Sequence, residues 1–117
     1  MNHPRLAVAA VLLAVLSMPV RAQFQGPSRS AAEATVAEAR GNLRVGADVT
    51  LTGYVVEHLR DDYFTFRDDS GSIRVEISPR LFGGRTVTPR ERVRIAGEIE
   101  RGARGRYIDV ESLDVLH

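Results

Sequence analysis

The sequence predicts a small all-β domain in which five antiparallel strands close into a barrel, preceded by a short N-terminal helix. Apolar and polar residues alternate with period two from Asp48 onward, and no helix-length segment separates the alternating runs. Without crossover helices the sheet should be mostly antiparallel. The apolar positions of the five runs are Val49, Leu51 and Val55; Phe64 and Phe66; Ile73, Val75 and Ile77; Val93, Ile95 and Ile99; and Ile108 and Val110.

Glycine lies in the middle of two predicted strands, as Gly53 in "LTGYV" and Gly97 in "IAGEI". Glycine inside a strand usually marks a bulge or a sharp coil. Five coiled strands in so short a chain favour closure, because a closed barrel has no exposed edge. The link between strands three and four, residues 78–89, should begin with a helical turn and place Phe82 at one barrel end.

The first 30 residues are predicted to lie outside the folded domain. "LAVAAVLLAVL" followed by "SMPVRA" is typical of a signal peptide with cleavage after Ala22, which predicts export to the periplasm. A membrane-spanning helix needs about 20 apolar residues, and Pro19 and Arg21 interrupt this run earlier. We therefore expect a signal peptide at 1–22, a flexible leader at 23–30, a domain at 31–117 and no stable membrane insertion after cleavage.

The short helix is predicted from a capping box. In "SAAE", Ser30 would cap the first turn while Glu33 reaches back to the N–H of the cap. The helix would continue through "ATVAEAR" and end near Gly41, with Ala32, Val36 and Ala39 on one apolar stripe.

Composition excludes several classes of function. The chain has no cysteine, so disulfide scaffolds, thiol enzymes and cysteine-based metal sites are ruled out. All 16 basic residues are arginine, and the predicted signal removes Arg5 and Arg21, leaving 14 against 15 acidic residues. A mature domain near neutrality lacks the strongly basic character of nucleic-acid-binding proteins, and we expect no nucleic-acid partner.

The hairpin "YFTFRDDSGSIRVEI" has one face for the core and one for solvent. Phe64 and Phe66, with the three apolar residues of the following run, should be buried. Asp69-Ser70-Gly71 should form the turn, with Asp68 accepting hydrogen bonds from turn amides. Calcium is the alternative for this acidic cluster, but the D-x-D-x-D-G ligand spacing is missing.

The outer face of the predicted sheet carries the candidate ligand-binding residues Tyr54, Tyr63, Thr65, Arg67 and Arg74. Aromatic rings beside arginine can stack on bases or sugars. Glu57 and Glu76 are expected on the same face, where they would repel phosphate. A plain solvated surface is the competing interpretation, since tyrosine, threonine and arginine are common on exposed strands.

A second basic row, residues 90–94, contains Arg90, Arg92 and Arg94. We expect solvated cross-strand pairing of this row with Glu98, Asp109 and Glu111, and anion contact is the alternative. No catalytic residue, metal ligand or cofactor is predicted. His58 lacks a partner at ligand spacing, and no serine lies in a G-x-S-x-G setting.

Four segments in fixed order carry a resemblance to a known family: "LTGYVVEHL", "DDYFTFRDDSGSIRVEI", "FGGRTVTPRERVRIAGEIE" and "YIDVESL". They resemble the bacterial OB-fold (BOF) family, the periplasmic stress-tolerance proteins of the YgiW/YdeI type. The resemblance implies a five-stranded OB-fold barrel, a periplasmic location, a link to stress survival and no known catalytic centre.

These observations predict a monomeric, non-enzymatic binding module of the periplasm. Two alternatives stay open: a protein that binds oligosaccharide or peptidoglycan with its outer barrel face, and a module that docks on another envelope protein. The ligand is therefore predicted only as a small molecule, a glycan or an envelope protein.

Overall fold

The computed structural model describes residues 31–117, so the predicted signal peptide, the leader and Ser30 lie outside the described residues. The elements, in chain order, are β1 (Ala32–Glu33), a helical turn (Glu38–Asn42), β2 (Asp48–Arg60), β3 (Tyr63–Asp68), β4 (Gly71–Glu76), a 3₁₀ helix (Pro79–Phe82), β5 (Val93–Gly102) and β6 (Gly105–Val115). No helix within this part of the chain is long and apolar enough to cross a bilayer.

Five strands close into a barrel, as the sequence predicts. Their order is β2-β3-β4-β6-β5, and β5 pairs again with β2. Every pairing in the barrel is antiparallel except that between β4 and β6, which is parallel. The parallel pair is possible because the chain between these strands contains the 3₁₀ helix and all of β5, a connection long enough for a crossover.

The two strand glycines lie at sharp coils of the barrel, which confirms that prediction. Gly53 is the residue at which β2 changes partner: residues up to Gly53 pair with β5, and those from Tyr54 pair with β3. A Cβ atom on Gly53 would collide with the carbonyl oxygen of Arg67, and one on Gly97 with that of Asp109. Only glycine allows these backbones to approach so closely.

The barrel interior is apolar throughout. Phe66 is its largest fully buried side chain, and the residues packed around it come from all five strands. Phe64, predicted as core, is half-buried at one end, where its ring lies 5.7 Å from that of Phe82 and 4.8 Å from that of His58. The predicted helical turn after β4 is present as the 3₁₀ helix, and Phe82 packs against the core as expected.

The N-terminal helix is much shorter than predicted. Ala32 and Glu33 are extended and pair in parallel with Val49 and Thr50, and only residues 36–42 are helical. The strand is favoured here because the first half of β2 pairs with β5 on one side only, and β1 covers the open edge.

The capping box is also displaced. The pattern S/T-x-x-E occurs twice in residues 30–38, and the structure uses the second copy. The backbone N–H of Thr35 donates to Glu38 Oε1 at 2.8 Å, and the N–H of Glu38 donates to Thr35 Oγ1 at 3.2 Å. Val36 and Ala39 of the predicted stripe are buried, whereas Ala32 is exposed on β1.

Candidate ligand-binding site

The five predicted site residues do not form one site. Tyr63 and Arg74 line one cleft, whereas Tyr54 and Arg67 face each other across β2 and β3 and line another, beside the β3–β4 turn. Thr65 lies between the two groups, opposite Arg74 on β4. Four of the five predicted site residues therefore divide between two separate polar clefts.

The first cleft is built around an arginine held between two tyrosines. The Cζ atom of Arg74 lies 5.2 Å from the ring centroid of Tyr63 and 5.1 Å from that of Tyr107. The two rings meet edge to face, with centroids 5.9 Å apart and planes at 78°. Both distances from Arg74 Cζ to a ring centroid are within the range of cation–π attraction, so the rings fix the position of the guanidinium. We call this arrangement the Tyr–Arg–Tyr cluster.

The cleft over this cluster has a volume of about 200 Å³ and is bounded by two hairpins. One side is the end of β2, with Leu59 and Arg60. The other is the β5–β6 turn, with Ala103 and Arg104. Leu59 is 45% exposed, a high value for a large apolar side chain. The cleft thus offers apolar surface, aromatic edges and guanidinium groups within one small volume.

The charge lining this cleft is entirely positive. Arg60, Arg74 and Arg104 line it, and no carboxylate does. The Nε atom of Arg74 is buried and has no hydrogen-bond partner within residues 31–117. Arg74 is thus positioned by aromatic rings where a carboxylate would be the usual partner of a half-buried guanidinium.

The two glutamates expected to offset this charge lie at neighbouring positions of the sheet, outside the lining of the cleft. Glu57 lies opposite Thr65, at an irregularity in the β2–β3 pairing. Glu76 lies opposite Tyr63 on one side and Asp109 on the other. Neither glutamate lines the Tyr–Arg–Tyr cleft.

Acidic residues form a row of their own across the sheet. Asp48 is opposite Glu98, Glu98 is opposite Asp109, and Asp109 is opposite Glu76. Repulsion, mainly from Glu100, raises the pKa of the Glu98 carboxyl above its usual value, with desolvation adding to the effect. In the described part of the chain no group of three or more His, Cys, Asp and Glu residues is arranged to hold a metal ion.

The second basic row does not lie opposite the acidic residues predicted for it, Glu98, Asp109 and Glu111: Arg90 and Arg92 precede β5, and only Arg94 lies in the strand. Arg94 lies opposite Thr52 and Asp114, not opposite Glu98 or Asp109. Its Nε atom is 4.0 Å from Glu33 Oε1, across to β1. The prediction was wrong because it placed the charges without the register of β5 and β6, which contains a shift after Ala96.

Tyr107 has a hydroxyl that stays protonated. Desolvation raises the pKa of Tyr107 above its usual value, and the neighbouring Tyr63, Glu76, Glu100 and Asp109 raise it further. Since the ordinary value is already about 10, this hydroxyl remains a hydrogen-bond donor at neutral pH. It adds a neutral donor beside the Arg74 guanidinium.

The acidic turn beside the second cleft has a structural role, as predicted. Asp68 Oδ1 accepts from the N–H of Ser70 at 2.8 Å and from its hydroxyl at 2.6 Å. Asp68 Oδ2 accepts from the N–H of Val36 at 3.0 Å, and Ser70 Oγ accepts from the N–H of Ala37 at 2.9 Å. The turn therefore caps the first N–H groups of the short helix, a contact that the sequence did not predict.

His58 has no catalytic setting among the described residues. It is exposed, its ring packs on Phe64, and its Nε2 atom lies 2.7 Å from the carbonyl oxygen of Asp61. Its ring nitrogen thus contacts the β2–β3 turn, in agreement with the surface position predicted for it.

Tyr107, Arg60 and Arg104 are the cleft residues that sequence reasoning missed. Tyr107 was visible as an outward residue of the last strand, and Arg104 as part of "RGARGR". What placed Tyr107 beside Arg74 is the parallel register of β4 and β6, which alternation within single strands does not reveal.

Comparison with known proteins adds an independent line of evidence. The sequence profile described as "Bacterial OB fold (BOF) protein" matches residues 17–115. Protein YgiW of Escherichia coli K12 is 34% identical over 123 residues, covering 93% of this chain and 95% of that protein. The calcium-regulated OB-fold protein CarO of Pseudomonas aeruginosa is 32% identical over 118 residues, covering 99% and 97%.

A solved structure agrees with these sequence matches. The structure of the hypothetical protein ygiW from E. coli superimposes with a TM-score of 0.68 at 38% identity. The match covers 82% of this chain and 100% of that one.

Proposed function

Because this chain belongs to the bacterial OB-fold (BOF) family, we propose that it is a non-enzymatic binding module of the periplasm whose ligand occupies the Tyr–Arg–Tyr cleft. The observation that carries the proposal is the Arg74 guanidinium, held between Tyr63 and Tyr107 without a carboxylate partner in the described chain. The periplasmic location rests on the signal-peptide pattern, and the link to stress tolerance rests on the family resemblance.

The position of the cleft supports the proposal. OB-fold proteins bind oligonucleotides and oligosaccharides on the face of their second and third strands, between the loops after strands one and four. Those elements correspond here to β3, β4 and the turns that follow β2 and β5. The cleft residues Tyr63, Arg74 and Arg104 lie in these elements.

The shape of the cleft favours a saccharide over a nucleic-acid base. A base stacks on an open aromatic face. In the cluster the guanidinium of Arg74 lies over both tyrosine rings, and the rings themselves meet edge to face. What the cleft presents is hydroxyl and N–H donors with apolar surface from Leu59, a combination suited to the hydroxyls and C–H faces of sugars.

Binding of purified cell wall tests the proposal. The wild-type protein should sediment with peptidoglycan sacculi, and Tyr63→Ala combined with Tyr107→Ala should reduce the sedimented fraction several-fold. Tyr54→Ala, a tyrosine of the same face that lines the other cleft, is the matched control and should sediment like wild type. Equal sedimentation of all three proteins would refute the cleft as the binding site.

An envelope-protein partner is the second candidate, because Leu59 is an exposed apolar residue at the rim of the cleft. A photo-crosslinking amino acid at position 59 should then give a discrete crosslinked product in intact cells. The same substitution at the exposed Arg80, on the 3₁₀ helix, should give none. Absence of a discrete product at position 59 would exclude this candidate.

A further inference from the structure

The Tyr–Arg–Tyr cleft continues into a second group of arginines. A neighbouring cleft of about 410 Å³ shares Arg74 and Arg104 with the first and adds five residues: Arg40, Ile73, Arg101, Gly105 and Arg106. As in the first cleft, no carboxylate lines it. One end of the barrel therefore presents six arginines around two connected clefts: Arg40, Arg60, Arg74, Arg101, Arg104 and Arg106.

Two of these arginines have structural roles. Arg106 Nη1 donates to the carbonyl oxygens of Ala39 and Leu43, where the short helix ends. Arg40 Nη1 donates to the carbonyl oxygen of Ser72 at 2.6 Å. These bonds fix the helix on the barrel and account for the presence of both residues.

Arg101 and Arg104 have no such role. Both are exposed, and within residues 31–117 neither side chain makes a hydrogen bond or an ion pair. Arg101 lies directly opposite Arg106 on the neighbouring strand. Like charges in directly opposite positions destabilise a β-sheet, so stability does not explain an arginine at position 101.

We propose that Arg101 and Arg104, with Arg74, form an anion subsite contiguous with the Tyr–Arg–Tyr cleft, and that the ligand is an acidic oligosaccharide. This inference rests on the proposed function and specifies the chemistry of its ligand. A sugar ring occupies the cleft beside Tyr63 and Tyr107. An acidic substituent on the same or the next sugar contacts the arginines of the β5–β6 turn.

The acidic row sets the orientation of such a ligand. Glu76 and Asp109 are two residues further along β4 and β6 than Arg74 and Tyr107, on the side away from the β5–β6 turn. An acidic polymer is repelled from that side and attracted toward Arg101 and Arg104. Negative charge on one side and positive charge on the other thus direct the oligosaccharide across the end of the barrel.

The test compares three fluorescein-labelled probes of equal length by anisotropy: an oligogalacturonate with a carboxylate on each ring, a neutral maltooligosaccharide and an oligothymidylate. The full mature chain should bind the oligogalacturonate at least tenfold more tightly than the maltooligosaccharide, and the difference should shrink as salt rises. Competition with inorganic phosphate then distinguishes recognition of a free anion from recognition of the acidic sugar, since the sugar should remain bound at millimolar phosphate.

Arg101→Gln with Arg104→Gln should weaken oligogalacturonate binding about tenfold or more, as expected for loss of charge-assisted contacts. Arg101→Gln alone, which leaves the lining of the Tyr–Arg–Tyr cleft intact, should bind maltooligosaccharide like wild type. Arg90→Gln with Arg92→Gln removes the same charge from the second basic row and is the control. It should bind the acidic probe like wild type, and an equal loss in this control would refute the subsite.

The outcomes separate this inference from the proposed function. Equal binding of acidic and neutral glycans would overturn the subsite and leave the saccharide-binding function intact. Binding of neither glycan would refute both. Tighter binding of oligothymidylate than of oligogalacturonate, lost in the Arg101→Gln and Arg104→Gln variant, would replace the glycan by a nucleic acid as ligand class.

Discussion

Arg74 on β4 and Tyr107 on β6 are directly opposite each other on parallel strands, and the Cζ atom of Arg74 lies 5.1 Å from the centroid of the tyrosine ring. Tyr63 supplies the second ring from β3, the other neighbour of β4, where it lies opposite Glu76. The cluster therefore needs three strands and the one parallel pairing of the barrel. The geometry of the cluster follows from closure of the barrel, and the apolar core beneath the cluster stabilises the closed barrel.

The core prediction compares two adjacent residues of β3. Phe66 has no exposed surface, so Phe66→Ala should lower the free energy of unfolding by about 3–5 kcal/mol. Thr65 points outward, and Thr65→Ala should change it by about 0.5 kcal/mol or less. Urea melts of the two variants against wild type measure both values. The reverse order would mean that the inward and outward faces of β3 have been exchanged.

A pH-dependent prediction concerns Asp68. Desolvation raises the pKa of this carboxyl, but hydrogen bonds from Ser70, Val36 and Gly71 outweigh it and lower the pKa below its usual value. Because the pKa is lowered, the ionised Asp68 carboxylate stabilises the fold fully above the unfolded-state pKa of about 4. This stabilisation is lost as the pH falls through the folded-state pKa.

Asp68→Ala should therefore cost about 1 kcal/mol at pH 7, in the range of helix caps, and progressively less on acidification below about pH 4. The control is Asp69→Ala, since this exposed neighbour makes no side-chain hydrogen bond in the described chain. Denaturant midpoints at pH 7 and pH 3 provide the comparison. A cost for Asp68→Ala that is the same at both pH values would contradict the capping role of the ionised carboxylate.

Glycine substitutions test the barrel corners. Gly97→Ala places a methyl group against the carbonyl of Asp109, and the resulting backbone shift should cost about 1–3 kcal/mol. Gly41→Ala is the matched change, because its Cβ meets nothing within 4 Å. It lies in the helical turn, where alanine should gain about 0.5–1 kcal/mol. Thermal melts that show similar shifts for both variants would argue against a tight corner at Gly97.

Two arginines that face each other should differ in their effect on stability. Arg106→Gln removes the donor to the carbonyls of Ala39 and Leu43 and should cost about 1.5–3 kcal/mol, as for hydrogen bonds to charged groups. Arg101→Gln relieves like-charge repulsion and should be neutral or slightly stabilising, within about 0.5 kcal/mol. Guanidinium chloride would screen this difference, so urea is the appropriate denaturant. A larger loss in Arg101→Gln would show that Arg101 is a structural residue.

The export prediction rests on the sequence alone. Cleavage between Ala22 and Gln23 follows from the apolar run and the small residues at positions 20 and 22. N-terminal sequencing or intact-mass measurement of periplasmic protein should show a chain beginning at Gln23 or its cyclised form. Recovery of the uncleaved chain from the inner membrane would disprove this prediction.

Much of the fold was accessible from local patterns. Alternation identified the five strands and the inward position of Phe66, because side chains on a strand point to opposite faces with period two. Gly53 and Gly97 identified the coils, because glycine is unfavourable inside a strand unless the backbone requires it. These features depend only on neighbouring residues, and the sequence alone determined them.

The tertiary structure decided the rest, because it depends on which distant residues meet. Two capping boxes were equally good locally, and the open edge of β2 made residues 32 and 33 a strand and left Thr35 as the cap. The register of β5 and β6 placed Glu98 opposite Asp109 and set Arg94 opposite Asp114. The parallel pairing of β4 and β6 brought Tyr107 to Arg74. A strand's sequence fixes which way its side chains point, whereas its partner and register are fixed only when the whole barrel closes around one core.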